Sequence, residues 1–208
     1  MKTKLPFVLI GVVWALTIAA VIAAKPASDE KSSALKNAVI LIIRHAEKPD
    51  AGHTLSAEGE DRAEAYTNYF KNYTIAGQLH RPDYLFAAKD SSNSHRSRLT
   101  LEPTAKALGL TIDYQFSNEQ FAQLAREIQS HPPGTNILIC WHHGNVPPLL
   151  RALGADPKKL LPKGKWPDEV FGWLIQLRYD ANGQLAESRC LNENLLPSDA
   201  SQPAPVSP

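Results

Sequence analysis

The apolar residues of this chain fall into short blocks that are separated by polar loops and by segments with helical spacing. Three mostly apolar runs, at residues 39–43, 83–88 and 136–141, predict strands. A short run of this kind is typical of a strand that is buried on both faces of a parallel sheet. A further short strand is predicted at 110–114.

Between these runs, apolar positions recur every three or four residues, which predicts helices. The helices are expected after the cap Ser56, from the polar loop 89–98 to Ala107 with Gly109 as the stop, at 118–129, and after Asn145. Strands that alternate with helices predict a three-layer α/β/α sandwich around a mostly parallel sheet. Segments 171–179 and 184–191, joined by an Asn-Gly turn, predict a hairpin.

The two ends of the chain differ from the middle in composition. Lys2 and Lys4 precede 20 uncharged residues at 5–24, which is the pattern of a signal peptide or of a signal anchor. Basic residues ahead of such a run predict export of the rest of the chain, which in a bacterium means the periplasm or the outer side of the inner membrane. Residues 25–36 are predicted to be a linker, 37–196 the folded domain, and the Pro-, Ser- and Ala-rich 197–208 a disordered tail.

The charge balance excludes two classes of partner. The chain has 22 basic and 21 acidic residues, and without Lys2 and Lys4 the remainder carries a net charge of −1. Nothing in this balance favours nucleic acid or an anionic membrane surface, so any positive field is expected to be local. Cys140 and Cys190 are compatible either with a disulfide or with two buried thiols.

Each of the three main predicted strands is followed by Arg or His. Arg44 and His45 follow the first strand, Arg96 lies in the loop after the second, and His142 and His143 follow the third. Because the carboxyl ends of parallel strands lie at one edge of a sheet, these residues are expected to converge there and to bind an anion. Adjacent histidines also suggest zinc, but no spaced set of Cys, His and Asp accompanies them.

Four segments resemble, in order, the motifs of the histidine phosphatase superfamily in its phosphoglycerate mutase-like branch. They are Arg-His-Ala-Glu at 44–47, Leu-Ser-Ala-Glu-Gly-Glu-Asp-Arg-Ala at 55–63, Ser-Asn-Ser-His-Arg-Ser-Arg-Leu-Thr at 92–100, and His-Gly-Asn at 143–145. One such motif is a weak signal, whereas four in order are a strong one. The resemblance covers residues 38 to about 180 and implies a phosphoglycerate mutase-like fold.

The resemblance implies hydrolysis of a small phosphorylated substrate, a phosphomonoester, without metal or other cofactor. His45 would be the nucleophile that forms a phosphohistidine, with Arg44, Arg96 and His143 binding the phosphoryl group. The two arginines are expected to lower the pKa of His45 and keep it neutral. His143 is preferred to its neighbour His142, because adjacent residues of a strand point to opposite faces.

The residue that would protonate the leaving group is not defined by the motifs. Glu47, within the first motif, and Glu119, in the segment where mutase-like members often carry their acid, are the candidates, and the third option is that no acid is present. Without an acid, a phosphoramidate such as phosphohistidine is the easier substrate. A phosphohistidine phosphatase and a non-catalytic phospho-ligand binder are therefore the alternatives. Lysines at 158, 159, 163 and 165 are most simply interpreted as a solvated face, and the alternative is that they attract an anionic substrate.

Overall fold

The computed structural model of the chain describes Met1 and residues 35–205, so the predicted signal segment at 5–24 lies outside the described residues. The chain divides into two units, Met1–Glu30 and Lys31–Pro208, and the sheet, the helices and the candidate site all belong to the second. Among the described residues, no helix combines the length and the apolar character that crossing a bilayer requires.

Eight strands and five α-helices make up the described part of the second unit. The strands are β1 (Val39–Arg44), β2 (Thr74–Ile75), β3 (Gln78–Leu79), β4 (Tyr84–Ala87), β5 (Ile112–Asp113), β6 (Asn136–Trp141), β7 (Trp173–Tyr179) and β8 (Leu185–Asn192). The helices are α1 (Ala57–Lys71), α2 (Arg96–Leu108), α3 (Phe121–Ile128), α4 (Val146–Ala152) and α5 (Pro157–Leu160).

Six of the strands form one sheet in the order β5-β4-β6-β1-β7-β8. Strands β5, β4, β6 and β1 are parallel, whereas β7 and β8 are antiparallel to their neighbours. Arg44 is paired with Trp141, and Ala87 with Cys140, so β1, β4 and β6 end at the same edge. The mostly parallel α/β sheet is therefore confirmed, and its register brings the residues that follow these strands together.

Alternate residues of the central strands pack on opposite faces of the sheet. Ile40 and Ile42 share a buried cluster with residues of α3 and α4, while Leu41 and Ile43 share another with residues of α1 and α2. This arrangement gives the three layers that the sequence predicts. Cys140 lies in one cluster and Cys190 in the other, and both are free thiols.

The boundaries of the folded domain are wider than predicted. Residues Pro197–Ser201, expected to be disordered, form a 3-10 helix in which Asp199 is 1% exposed. Asp199 accepts hydrogen bonds from Arg62, and a buried carboxylate with such a partner is ordered. At the other end, Leu35 of the predicted linker is buried in the core. The prediction from composition placed both boundaries of the domain too far inside the chain, because composition does not reveal individual contacts such as those of Leu35 and Asp199.

Candidate active site

The side chain of His45 leaves the end of β1 and is almost completely buried, with 4% exposure. Its Nδ1 lies 2.7 Å from the carbonyl oxygen of Ala46. Because a carbonyl oxygen only accepts, the hydrogen of a neutral imidazole is placed on Nδ1, and Nε2 keeps its lone pair. His45 thus has the tautomer that a nucleophile reacting through Nε2 requires.

The surroundings of His45 disfavour its protonated form. Burial lowers its pKa, and the positive charges of Arg44 and Arg96 with the neighbouring His142 lower it further, to about 3, against the raising effect of the hydrogen bond to Ala46. The sequence anticipated the effect of the arginines, but burial is the larger cause. The imidazole is therefore neutral over the physiological pH range.

Arg44, also at the end of β1, is 1% exposed and holds the segment that precedes β7. Its Nη1 donates to the carbonyl oxygens of Asp168 at 2.7 Å and Val170 at 2.8 Å, and its Cζ lies 3.8 Å from the centre of the Phe171 ring. Its buried Nε has no hydrogen-bond partner among the described residues. An unpaired donor of this kind is costly, and an anion would satisfy it.

Arg96 opens α2 and is oriented by the loops around it. Its Nη1 donates to Ser94 Oγ at 3.0 Å and its Nη2 to the Gly52 carbonyl oxygen at 3.1 Å, while its buried Nε has no partner within the described residues. Arg98, the other arginine of the motif, is ion-paired with Asp90 at 2.8 Å. Arg96, and not Arg98, is therefore the residue whose charge acts on His45.

Thr100 on α2 connects the two arginine-bearing segments. Its Oγ1 accepts a hydrogen bond from the backbone N–H of Ala46 at 2.9 Å and donates to the Arg96 carbonyl oxygen at 2.7 Å. The hydroxyl therefore fixes the backbone next to His45 relative to the first turn of α2. It belongs to the Ser-to-Thr motif at 92–100, in which sequence reasoning gave it no role.

Both histidines after β6 belong to the site, which corrects the prediction that only one would. His142 is still extended but His143 opens a 3-10 helix, so strand alternation does not apply between the two histidines. The ring of His142 lies edge-on to His45 with 5.2 Å between ring centres. Burial, followed by the charges of Arg96 and His143, lowers the pKa of His142 to about 4.

His143 has a different partner. Its Nε2 lies 2.9 Å from Oδ1 of Asp168, the residue whose carbonyl oxygen accepts from Arg44. Burial and the nearby Arg44 lower the pKa of His143, while Asp168 opposes this. Asp168 was not predicted as a site residue, because nothing in the sequence indicates that the loop before β7 returns to the end of β1.

A cavity of about 350 Å³ opens beside these residues, with Arg96, His142 and Glu119 in its wall. Glu119 is exposed, and its charge acts on His142. Of the two carboxylates considered as the acid, Glu119 is the one that lines this cavity.

Glu47, the other candidate acid, is engaged elsewhere. Its carboxylate accepts from Nε of Arg62 at 2.9 Å and from Nη2 at 2.7 Å. Arg62 is fully buried and also binds Asp199, and although burial alone would lower its pKa, the hydrogen bonds to Glu47 and Asp199 raise it. An arginine within the buried stripe of α1, next to Ala63 and Tyr66, is the sequence signal for this ion pair.

Gly59 explains why α1 can lie against this motif. A Cβ at Gly59 would overlap the carbonyl oxygen of Glu47, and the same oxygen accepts a hydrogen bond from the Ser56 amide at 3.0 Å. The glycine of the second motif therefore permits a backbone contact between the start of α1 and the loop that carries His45.

No family model and no curated protein matches the sequence. Solved structures do match, among them one described as the phosphohistidine phosphatase SixA from Agrobacterium tumefaciens (17% identity, TM-score 0.47, 72% of this chain and 96% of that one). Another is a phosphoserine phosphatase from Entamoeba histolytica (12% identity, TM-score 0.47, 73% of this chain and 96% of that one). A third is a phosphoglycerate mutase from Plasmodium falciparum (15% identity, TM-score 0.45, 73% of this chain and 90% of that one). At these identities the similarity concerns the fold, and it assigns no activity or substrate to this chain.

Proposed function

We propose that this protein is a phosphatase that hydrolyses a phosphomonoester through a phosphohistidine on His45. The observation that carries the proposal is the buried, neutral His45, whose Nδ1 is held by the Ala46 carbonyl oxygen and whose Nε2 is free to react. Two arginines accompany it, and the Nε of each has no hydrogen-bond partner within residues 35–205. A neutral nucleophile beside fixed cationic donors is the combination that phosphoryl transfer needs.

In the first step, Nε2 of His45 forms a bond to phosphorus while the bond from phosphorus to the leaving oxygen breaks. Arg44 and Arg96 donate to the phosphoryl oxygens as their charge builds up, and such donors typically contribute about 3–4 kcal/mol each. In the second step, water attacks phosphorus, the N–P bond breaks, inorganic phosphate leaves and His45 is neutral again. His142 and His143 complete the polar wall of the site.

The leaving oxygen takes up a proton in the first step, and we assign this proton to Glu119, which recovers a proton from the attacking water in the second step. The assignment is supported by the position of Glu119 in the wall of the cavity that also contains Arg96 and His142. Glu47 is the weaker choice, because both of its oxygens accept hydrogen bonds from Arg62.

A second candidate function is the hydrolysis of a phosphoramidate such as phosphohistidine. The engagement of Glu47 by Arg62 favours it, since the leaving group of a phosphoramidate depends less on an acid from the protein. Comparing turnover of phosphohistidine with that of an alkyl phosphate separates the two functions. A preference for the alkyl ester supports the phosphomonoesterase.

Export of the phosphatase is also proposed, either released or anchored through residues 5–24. It is supported by Lys2 and Lys4 ahead of the 20 uncharged residues. Fractionating cells that express the full chain tests this proposal, and recovery in the cytoplasm contradicts it.

The test of catalysis uses p-nitrophenyl phosphate, whose leaving group needs no acid. We expect turnover, and a phosphoenzyme that is stable in base and labile in acid, as a phosphoramidate is. His45→Ala is expected to abolish both, whereas Arg98→Ala, a change in the same motif outside the site, should retain them. A protein that binds phosphate without turnover or phosphoenzyme would be the non-catalytic binder.

A further inference from the structure

Asp168 lies in a tight turn before β7, and the backbone of this turn is fixed on the end of β1. The amide of Val170 donates to the carbonyl oxygen of Pro167 at 3.3 Å and closes the turn. Nη1 of Arg44 donates to three carbonyl oxygens of the turn, at 2.7 to 3.3 Å. The buried Trp166 donates from Nε1 to the Val170 carbonyl oxygen at 2.8 Å. The backbone that carries Asp168 is therefore held in place, although its side chain is exposed.

The carboxylate of Asp168 extends from this fixed turn to His143. Its Oδ1 lies 2.9 Å from Nε2 of His143. Because a carboxylate without a proton only accepts, the hydrogen of a neutral His143 is placed on Nε2, and Nδ1 keeps its lone pair. One residue thus holds two side chains of the candidate site, Arg44 through its carbonyl oxygen and His143 through its carboxylate.

The other ring nitrogen of His143 is left without a partner. Nδ1 is buried, and no atom of residues 35–205 forms a hydrogen bond with it. A buried polar atom in this state costs free energy. Protonation changes its chemistry, because both nitrogens of an imidazolium are donors. Nδ1 then joins the unpartnered Nε atoms of Arg44 and Arg96 as a third donor that an anion can satisfy.

Opposing charges set the protonation state of His143. Burial is the largest effect and lowers its pKa, and the positive charges of Arg44 and Lys48 lower it as well. Asp168 raises this pKa, both by its charge and by its hydrogen bond. The adjacent His142 has a pKa of about 4 and carries no charge at neutral pH. In the free protein His143 is therefore neutral at pH 7, and the negative charge of a bound phosphate favours its protonation.

We propose that Asp168 is a positioning residue of this site, which fixes Nδ1 of His143 as the nitrogen that binds the phosphoryl group and serves as the counter-ion of the resulting imidazolium. The proposal rests on the proposed function, because it takes the phosphoryl group to be bound beside His45. When the substrate binds, His143 takes up one proton from solvent on Nδ1, and it returns this proton when inorganic phosphate leaves. Asp168 stays charged throughout and contacts no reacting atom.

The pH dependence of kcat for p-nitrophenyl phosphate tests the role of Asp168. Asp168→Asn keeps an oxygen that accepts from Nε2 of His143 but removes the counter-ion. We expect its kcat to match that of the wild type at pH 5, where His143 is protonated in both complexes. At pH 8 it should be about tenfold lower, because an adjacent carboxylate raises the pKa of a histidine by about one unit or more. Asp168→Ala also removes the acceptor and should lower kcat at both pH values.

Glu169→Gln is the matched control, since it removes the same charge from the exposed neighbouring residue. Its kcat relative to the wild type should stay constant between pH 5 and pH 8. A ratio for Asp168→Asn that does not change with pH overturns the proposal, and so does an equal change in the control.

Long-range ¹H–¹⁵N NMR of the His143 imidazole in the His45→Ala background separates this proposal from the proposed function, because it needs no turnover. At pH 7 we expect a neutral ring with its hydrogen on Nε2, and an imidazolium once inorganic phosphate is added. With Asp168→Asn, the imidazolium should form only at lower pH. This result supports the role of Asp168 even if the protein proves to lack phosphatase activity. A hydrogen on Nδ1 in the free protein, or a ring that stays neutral with phosphate, overturns it and leaves catalysis by His45 standing.

Discussion

Arg62 binds the carboxylate of Glu47 through two nitrogens, with Nη2 2.7 Å and Nε 2.9 Å from Oε1. The pair joins the centre of α1 to the loop that carries His45. Arg62 also binds Asp199 at 2.7 Å, near the end of the described chain. A single guanidinium thus connects the loop that carries His45, the first helix and the C-terminal 3-10 helix.

Replacing Arg62 with Met should lower the free energy of unfolding by about 3–5 kcal/mol, because it leaves the buried carboxylates without their partner. Urea denaturation measures this change. Arg178→Met is the matched control, since Arg178 pairs with Glu187 at the surface and its loss should lower the free energy of unfolding by about 0–1 kcal/mol. A loss below about 1 kcal/mol for Arg62→Met would show that this ion pair does not hold the fold.

Replacing Thr100 with Val should lower kcat more than it raises KM, because the backbone amide of Ala46 loses its acceptor and His45 loses its fixed position. We expect a loss of about tenfold or more, since small displacements of a reacting group reduce the rate strongly. Thr100→Ser keeps the hydroxyl and is expected to restore kcat. If Ser and Val behave alike, Thr100 contributes packing only.

The neutral state of His45 can be observed directly. Its pKa of about 3 predicts that at pH 5 the imidazole is still neutral, with hydrogen on Nδ1. Long-range ¹H–¹⁵N NMR of the imidazole nitrogens distinguishes this form from the imidazolium. An imidazolium signal for His45 at pH 5 contradicts the electrostatic account of the nucleophile.

The same shifts predict a loss of stability in acid. The pKa values of His45 and His142 are lower in the folded protein, at about 3 and about 4, than the ordinary value of 6.5, so the unfolded chain binds more protons below pH 6.5. The stability that these residues contribute is present above pH 6.5 and is lost as the pH falls towards 4, by up to about 1.4 kcal/mol per pH unit for each proton. Urea denaturation at several pH values between 7 and 4 measures this loss. The free energy of unfolding of His142→Asn should fall less steeply with decreasing pH than that of the wild type, and an equal dependence on pH would contradict the prediction.

Glu119→Gln should separate substrates by their leaving group. Turnover of an alkyl phosphate should fall by about 10²-fold or more, in line with the usual contribution of a general acid, while turnover of p-nitrophenyl phosphate should change little. Glu47→Gln is the matched control, because its carboxylate is bound by Arg62, and it should not change the ratio of the two rates. An equal loss for both esters in Glu119→Gln removes Glu119 as the acid.

The positions of site residues that directly follow a strand could be predicted from the sequence. The positions of residues on loops that fold back to the strand ends could not. Arg44, His45 and Arg96 were placed correctly at one edge of the sheet, because parallel register alone determines where β1 and β4 end. His142 was excluded on the assumption that β6 continues through both histidines, whereas His142 is the last extended residue and a 3-10 helix begins at His143.

Two other differences have a similar cause. Glu47 was one of the candidate acids because its motif is adjacent to His45, but its carboxylate is bound by Arg62, 15 residues later. Asp168 carries no motif, and its contact with His143 depends on a loop whose path the local sequence does not determine. The pattern of hydrophobic residues predicts helices and strands, but it does not predict which polar side chains pair over long distances in the sequence.

The C-terminal 3-10 helix also supports the candidate active site. The side-chain oxygen of Gln202 accepts hydrogen bonds from the amides of Phe171 and Gly172, and a side chain at Gly172 would overlap the Asp199 carboxylate. Phe171 in turn stacks under Arg44. A chain shortened at residue 196, where composition places the domain boundary, would therefore lose the support of Arg44 together with its last residues.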